Sequence, residues 1–365
     1  MFTKRIYLDC AAGMSGNPSS PHAEGRRSRE QLEGARREIA LLVEVQTNDI
    51  IFTGSATEAN ALAILGVAQA GDHVLYLPSA HASIVENMKL LSERRIDVEA
   101  LPITEDRVDC EKLKKMLRPE TKLISMDAVC GETGVIWNTR EVASVLREPS
   151  RAKRGIVLHV DASQAPLTEK ITRAHFGADI LTFDISKVST ARGMGILVAH
   201  QTIPLEPLYR GGGQERGVRP GSESPELAKV FAAALRAAAL GREKFCAIAE
   251  KERKEFTKVI LEKLPGVLIN EASKADRQAP NILNLSFPGK DTDYLVALLD
   301  EAGFAVSTRS ACETDSEEGS RAVFVLTGDR DRARATLRIS WGPNTRPRSL
   351  YRFAKALIQA VTFIR

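Results

Sequence analysis

Three groups of residues in this 365-residue chain combine side-chain type and spacing in ways that could do chemistry. The first comprises two apolar runs. One ends in His159-Val160-Asp161 with Gln164 close behind; the other, Ile180 to Phe183, is followed by Lys187. Two neighbouring strand ends can present a carboxylate and an amine to one pocket. A carboxylate that pairs with a pyridinium nitrogen and a lysine that forms a Schiff base are what pyridoxal 5′-phosphate chemistry requires. Singly, an Asp or a Lys at a strand end is an ordinary cap or a solvated turn residue, so the two count only together. The second group is Thr53-Gly54-Ser55-Ala56-Thr57-Glu58, a small-residue turn between a strand and a helix. Its N–H groups and hydroxyls suit a phosphate at a helix N-terminus, and an N-cap by Ser55 or Thr57 accounts for it equally well. It is not a Walker A loop, because the terminal Gly-Lys-Ser/Thr is missing. The third is Ser310-Ala311-Cys312 with Arg309 beside it, opening the polar, acidic segment Glu313–Gly319. A thiol on an exposed loop near an arginine is a better nucleophile than a buried one. His81, after Pro78-Ser79-Ala80, stands alone, and such a histidine is more often a structural hydrogen-bonder than a catalyst.

The elements that would position these groups alternate along the first two thirds of the chain. β-branched, apolar runs predict strands at Ile50–Thr53, His73–Leu77, Val98–Pro102, Lys122–Met126, Gly155–Val160, Asp179–Phe183 and Gly195–Ala199. Helix-period segments lie between them at Thr57–Gln69, Ala82–Arg94, Asp109–Leu117 and Thr139–Leu146. That order predicts βαβ units and an α/β fold with a mostly parallel sheet covered on both faces. Ligands in such sheets lie outside the strand ends. A long helix is expected from about Pro225 to Leu264. A smaller α+β region follows, with strands near Ile282–Phe287, Ala305–Ser307 and Leu337–Ser340. The length favours two domains. These are a large one over 15–240, and a small one made of 1–14 and 241–365 that carries the Cys312 loop.

Bulk properties exclude several classes. With 51 basic and 47 acidic residues the net charge is +4, which gives no electrostatic case for nucleic acid or a membrane surface. The basic stretch Arg26 to Arg37 is interleaved with glutamates and reads as a solvated helix face with i,i+4 ion pairs. The first ten residues lack the apolar region of a signal peptide, and no apolar stretch is long enough to span a bilayer. Five scattered cysteines without a CxxC pair indicate neither a disulfide framework nor a zinc or other metal site. A reducing cytoplasm is the expected compartment, with Cys10, Cys110, Cys130 and Cys246 read as packing residues.

Taken in order, these motifs resemble the class-V, fold-type-I pyridoxal phosphate enzymes, and among them the cysteine desulfurases of the NifS/IscS type. The resemblance runs from Ile6-Tyr7-Leu8-Asp9 and Gly16-Asn17-Pro18-Ser19-Ser20 through the Thr53–Glu58 turn, His81, His159-Val160-Asp161, Gln164 and Lys187. It continues through Arg210-Gly211-Gly212-Gly213-Gln214-Glu215-Arg216-Gly217 and Ala279–Asn284 to Ser310-Ala311-Cys312 and Arg338-Ile339-Ser340. It implies a seven-stranded, mostly parallel sheet in the large domain and pyridoxal 5′-phosphate as cofactor. Lys187 would be the Schiff-base lysine, Asp161 the partner of the ring nitrogen, Gln164 the partner of the phenolic oxygen, and His81 the ring-stacking residue and a proton carrier. Ala56 and Thr57 would hold the phosphate, joined by Ser222 from the other subunit of a homodimer. Arg338 would bind the carboxylate of L-cysteine, and Cys312 would take its sulfur as a persulfide. An acceptor protein, such as an iron–sulfur scaffold or a tRNA-thiolation protein, would then receive it.

The chain departs from the family pattern at four places. Gly131 replaces an asparagine near the cofactor, and Asp184-Ile185-Ser186-Lys187 replaces Ser-Gly-His-Lys, so that Asp184 would face the phosphate. Cys10 replaces an aromatic residue, and Ala11–Gly16 is shortened by a helix. Two other readings of the same motifs are a related class-V enzyme, either a selenocysteine lyase or an aminotransferase, and a degenerate scaffold that keeps only the fold. The thiol of Cys312 argues against transamination, and the retained Lys187, Asp161 and Arg338 argue against the scaffold.

Overall fold

The computed structural model describes residues 6–148, 155–308 and 319–364. Helix α1 (Ala23–Val43) opens the ordered core, with His22 Nδ1 accepting the Gly25 N–H at its start and Glu44 ending it in the left-handed region. The strands and helices that follow alternate: β1 (Ile50–Thr53), α2 (Ala56–Leu65), β2 (His73–Tyr76), α3 (Ala82–Glu93), β3 (Asp97–Ala100), a small hairpin β4 (Ile103–Thr104) and β5 (Arg107–Val108), and α4 (Cys110–Met116). Next come β6 (Thr121–Asp127), α5 (Thr139–Leu146), β7 (Val157–Asp161), α6 (Arg173–Phe176), β8 (Ile180–Asp184) and β9 (Gly195–Ala199). Seven of these strands form one sheet in the order β1-β9-β8-β7-β6-β2-β3. The β8–β7, β7–β6, β6–β2 and β2–β3 pairs are parallel, and only β9 runs against its neighbours.

Sequence pattern explains this sheet. Every residue of β1, β7 and β9 is buried, as continuous apolar runs require when helices cover both faces. Helix α2 is apolar nearly all round, so it packs inside rather than on the surface. A single helix of 39 residues, α7 (Pro225–Lys263), links two apolar clusters. Its Phe231 and Leu235 belong to the cluster around the large sheet. Phe245, Phe256 and Ile260 belong to a second cluster. The second cluster packs on a three-stranded antiparallel sheet, β10 (Leu268–Ile269), β11 (Ile282–Ser286) and β12 (Thr336–Ser340). Helices α8 (Thr292–Glu301), α9 (Arg321–Thr327), α10 (Arg330–Arg334) and α11 (Pro347–Phe363) complete the chain. Phe256 of α7 stacks on Phe353 of α11 with centroids 5.8 Å apart. Among the described residues, no helix is long and apolar enough to cross a membrane.

Several expectations need correction. Ala305–Ser307 is not a strand: only Ser307 pairs, by one bridge to Arg338. The Arg26–Arg37 stretch is not uniformly solvated, since Arg36 is buried against Glu215. Its only intrahelical pair among the described residues is Arg36–Glu33, spaced i,i+3. Of the four cysteines read as packing residues, Cys130 is buried, Cys110 and Cys246 are half-buried, and Cys10 is exposed. The shortened segment after Asp9 does form turns in place of a helix, with the Tyr7 hydroxyl within bonding distance of the Asp9, Gly13 and Ser15 carbonyls.

Candidate active site

The C-terminal ends of β6, β7 and β8 meet the N-termini of α2 and α3, and the chemistry-bearing residues gather there. Asp161 closes β7 and is buried; its Oδ1 accepts the Ser163 N–H at 2.9 Å and its Oδ2 accepts Asn60 Nδ2 at 2.6 Å. The same Asn60 amide donates to Ser83 Oγ at 2.8 Å. Ser83 in turn meets His81, which caps α3: His81 Nδ1 accepts the Ser83 N–H at 3.2 Å and lies 2.8 Å from Ser83 Oγ. Because Nδ1 accepts, a neutral His81 ring carries its proton on Nε2. A continuous polar chain thus joins the strand-end carboxylate to the histidine.

The cleft in front of this chain is lined by His81, Gln164, Lys187 and Arg338, together with Asp127, Cys130, Gly131, Glu132 and Arg321. Lys187 is held there by a short 3₁₀ turn, Ile185–Lys187, that leaves β8. Arg338 enters from β12 of the small sheet, its Nη1 donating to the Gly131 carbonyl at 3.2 Å. Gln164 packs directly on Gly131, so a Cβ there would lie 3.0 Å from Gln164 Nε2. A side chain at 131 would therefore need the Gln164 amide to shift by a few tenths of an ångström.

Electrostatics separate the groups. Asp127, at the end of β6, accepts the His81 N–H at 3.2 Å through Oδ2 and at 3.4 Å through Oδ1. Burial, with the charge of Asp161 nearby, pushes its carboxyl well above the usual range. Burial raises the Cys130 thiol to about 11, so it stays protonated at neutral pH and is a poor nucleophile. His159, buried in β7 between Ser125 Oγ and Thr182 Oγ1, is pushed down to about 4 by desolvation and is a neutral core residue.

At the other end of the cleft lies the start of α2. Ser55 caps it, its Oγ accepting the Glu58 N–H at 3.3 Å. Glu58 also takes the Gly54 N–H. Despite partial burial, bonds from Arg219 at 2.9 Å and the Tyr209 hydroxyl at 2.7 Å hold Glu58 below the usual carboxylate range. The Ala56 N–H is taken by Asp184 Oδ2 at 2.9 Å. Thr57 is exposed beside it. Ser222 is exposed and does not line the Lys187 cleft. Cys312, with Arg309, Ser310 and Ala311, lies outside the described residues.

The structure therefore brings Lys187, Gln164, His81 and Arg338 together, places Asp161 behind them, and sets Ala56 and Thr57 at one end. Asn60, Ser83, Asp127 and Arg321 were not singled out from the sequence. Only Asn60 gave a signal, as the one polar residue after the first turn of α2. This donor set fits a pyridoxal phosphate ring: a buried carboxylate with a free lone pair on each oxygen, an amide, an imidazole and an amine converge from adjoining strand ends. The phosphate end has its N–H groups at a helix start, one of them already engaged by a carboxylate.

Comparison with known proteins agrees with this geometry. The aminotransferase class-V family matches residues 7–350. A protein of Archaeoglobus fulgidus named cysteine desulfurase IscS 1 is 32% identical over 338 residues, covering 90% of this chain and 85% of its own. A cysteine desulfurase IscS of Neisseria meningitidis serogroup C is 33% identical over 353 residues, covering 94% of this chain and 85% of its own. Among solved structures, a NifS-like protein superimposes with a TM-score of 0.87 at 27% identity, covering 95% of this chain and 92% of its own.

Proposed function

Because the chain belongs to the aminotransferase class-V family, we propose that it is a pyridoxal phosphate-dependent cysteine desulfurase that moves the sulfur of L-cysteine onto Cys312 and releases alanine. One observation carries this reading: Lys187, Gln164, His81 and Arg338 line a single cleft in front of the buried Asp161. When bound, pyridoxal 5′-phosphate supplies the electron sink that stabilises negative charge at the substrate Cα. Asp161 would hold the ring nitrogen, Gln164 the phenolic oxygen, His81 the ring face, and Ala56 and Thr57 the phosphate. The Arg338 guanidinium would take the substrate carboxylate in a two-pronged contact. Its bond to the Gly131 carbonyl aims it into the cleft. The Lys187 amine removes the Cα proton and returns one, and His81 Nε2 offers a second proton beside the ring.

The Cys312 thiolate attacks the substrate sulfur. The new S–S bond forms as the Cβ–S bond breaks, and its electron pair stays on the carbon side, which is protonated to alanine. Cysteine and one thiol thus become alanine and one persulfide, with no external oxidant or reductant.

The finer features belong to the same proposal. The protein would act as a homodimer, with Ser222 reaching the neighbouring subunit's phosphate. The large domain would span 15–240, with 1–14 and 241–365 forming the small one; the buried residues of the second apolar cluster all fall in 241–365, whereas the first cluster also takes in Ala272, Ala279, Ile282 and Ala322. The persulfide would pass in the cytoplasm to an acceptor protein of iron–sulfur assembly or tRNA thiolation. Incubation with L-cysteine tests the activity: alanine and sulfide should appear in equal amounts under a reductant, and Lys187→Ala should form neither. Alanine formation by Lys187→Ala would reject the assignment.

A further inference from the structure

Asp184 is the last residue of β8 and the cap of the turn that carries Lys187. Its Oδ1 accepts the Ser186 N–H at 2.8 Å and the Ser186 hydroxyl at 2.6 Å. Its Oδ2 reaches across to the start of α2 and accepts the Ala56 N–H at 2.9 Å. A helix N-terminus favours an anion because its first N–H groups lack partners within the helix. Here the anion is a side chain of the protein itself, bound to the donor assigned above to the cofactor's phosphate.

The backbone on both sides of this carboxylate is closely packed. Asp184 pairs with Gly195 in the β8–β9 ladder. Gly195 in turn presses on the Ser55–Ala56 peptide: a Cβ there would lie 2.3 Å from the Ser55 carbonyl carbon and 2.7 Å from Ala56 N. Strand end and helix start are thus locked together with the carboxylate between them. Among the described residues, no Lys, Arg or His forms an ion pair with Asp184, so its charge is balanced only by hydrogen-bond donors.

We propose that Asp184 is a built-in competitor of the cofactor's phosphate, filling the anion position at the start of α2 in the cofactor-free chain, so that loading exchanges one anion for the other. The inference rests on the reading of Lys187 as the cofactor lysine. No covalent step is involved: Ala56 N–H releases a carboxylate and receives a phosphate oxygen. Part of what the phosphate gains is spent in displacing Asp184, and the displaced carboxylate still repels it at short range. The chain therefore discriminates weakly between pyridoxal 5′-phosphate and pyridoxal, which lacks the phosphate.

The test is a visible titration of the full-length, cofactor-stripped protein with each compound, for wild type, Asp184→Ser and Asp184→Asn. Asp184→Ser should bind pyridoxal 5′-phosphate about tenfold more tightly, the difference made by about one charge-assisted hydrogen bond. Its affinity for pyridoxal should stay within about twofold of wild type. Asp184→Asn keeps the side chain without the charge and should fall between the two. Without ligand, Asp184→Ser should melt at a lower temperature than wild type, and inorganic phosphate should raise its Tm more than that of wild type. Equal affinities of all three proteins for pyridoxal 5′-phosphate would overturn the competition. An equal gain for both compounds would also overturn it, by placing the effect at the ring. A wild type that forms a band with neither compound would reject the cofactor reading itself, and the inference with it.

Discussion

Arg36 and Glu215, 179 residues apart, are joined by two hydrogen bonds, Nη1 to Oε2 at 2.8 Å and Nη2 to Oε1 at 2.7 Å. Both side chains are buried between α1 and the glycine-rich segment that precedes α7. The pair is fully engaged: Arg36 also donates to the Ile50 carbonyl at 2.8 Å, and Glu215 accepts the Phe52 N–H at 3.0 Å. Glu215 and Arg216 have φ of 47° and 61°, a left-handed conformation that is unfavourable for residues with a side chain. The ion pair thus pins a strained turn onto β1 and sets the path that leads to Arg219 and Ser222.

Removing one member leaves the other charged and buried. Arg36→Met or Glu215→Leu should each cost about 3–5 kcal/mol in urea unfolding. The double variant should cost clearly less than the sum of the two. Additive losses would show that the two side chains act independently.

Asp127 gives a pH signature. Burial and the neighbouring Asp161 raise its carboxyl above the 3.8 of an unstrained aspartate, so the folded protein holds a proton that the unfolded chain releases. Its contribution is therefore fully present below about pH 3.8 and is lost as pH rises through the folded value. Asp127→Asn keeps an acceptor for the His81 N–H and cannot ionise. Its Tm should gain on wild type as pH rises from about 4 towards neutral; a difference that stays constant from about pH 4 upward would contradict the assignment.

How much of this was legible in the sequence depends on how local the cause is. The runs Ile50–Thr53 and Gly195–Ala199 end where the strands end, because β-branched apolar residues stop at glycine or polar turns. Asp161 and Lys187 were visible because strand ends place them, and the topology makes β7 and β8 neighbours. The burial of Arg36 was hidden inside a charged run, since it depends on a partner far along the chain. Asp127 and Ser83 carry no local pattern, and they matter only because β6, α2 and α3 converge. Ala305–Ser307 reads as a strand by composition, yet it finds only the single bridge to Arg338.

Arg338 should affect the substrate more than the cofactor. Arg338→Ala should retain the visible cofactor band and lower kcat/KM for L-cysteine by about ten- to a hundredfold, the range for losing a hydrogen bond to a charged group. Lysine should restore little, since it cannot reproduce the planar two-pronged contact. A variant with unchanged kcat/KM would remove Arg338 from the substrate site.

Ser222 should report on assembly. If the site is shared across a two-fold dimer, sedimentation should show a dimer at micromolar concentration, and Ser222→Ala should lose cofactor on dialysis faster than wild type while remaining dimeric. A monomer fully loaded with cofactor would contradict the shared site.

The most direct measurement is mass spectrometry of the protein after incubation with L-cysteine, in wild type and in Cys312→Ser. Sulfur transfer needs a thiol that acts independently of the cofactor, and Cys130, the cysteine lining the cleft, is held protonated by burial. Wild type should carry one added sulfur atom on the peptide containing Cys312. Cys312→Ser should keep the cofactor band and its spectral response to L-cysteine, carry no added sulfur and release almost no alanine. Undiminished alanine release by Cys312→Ser, or a persulfide mapped to another cysteine, would contradict the account.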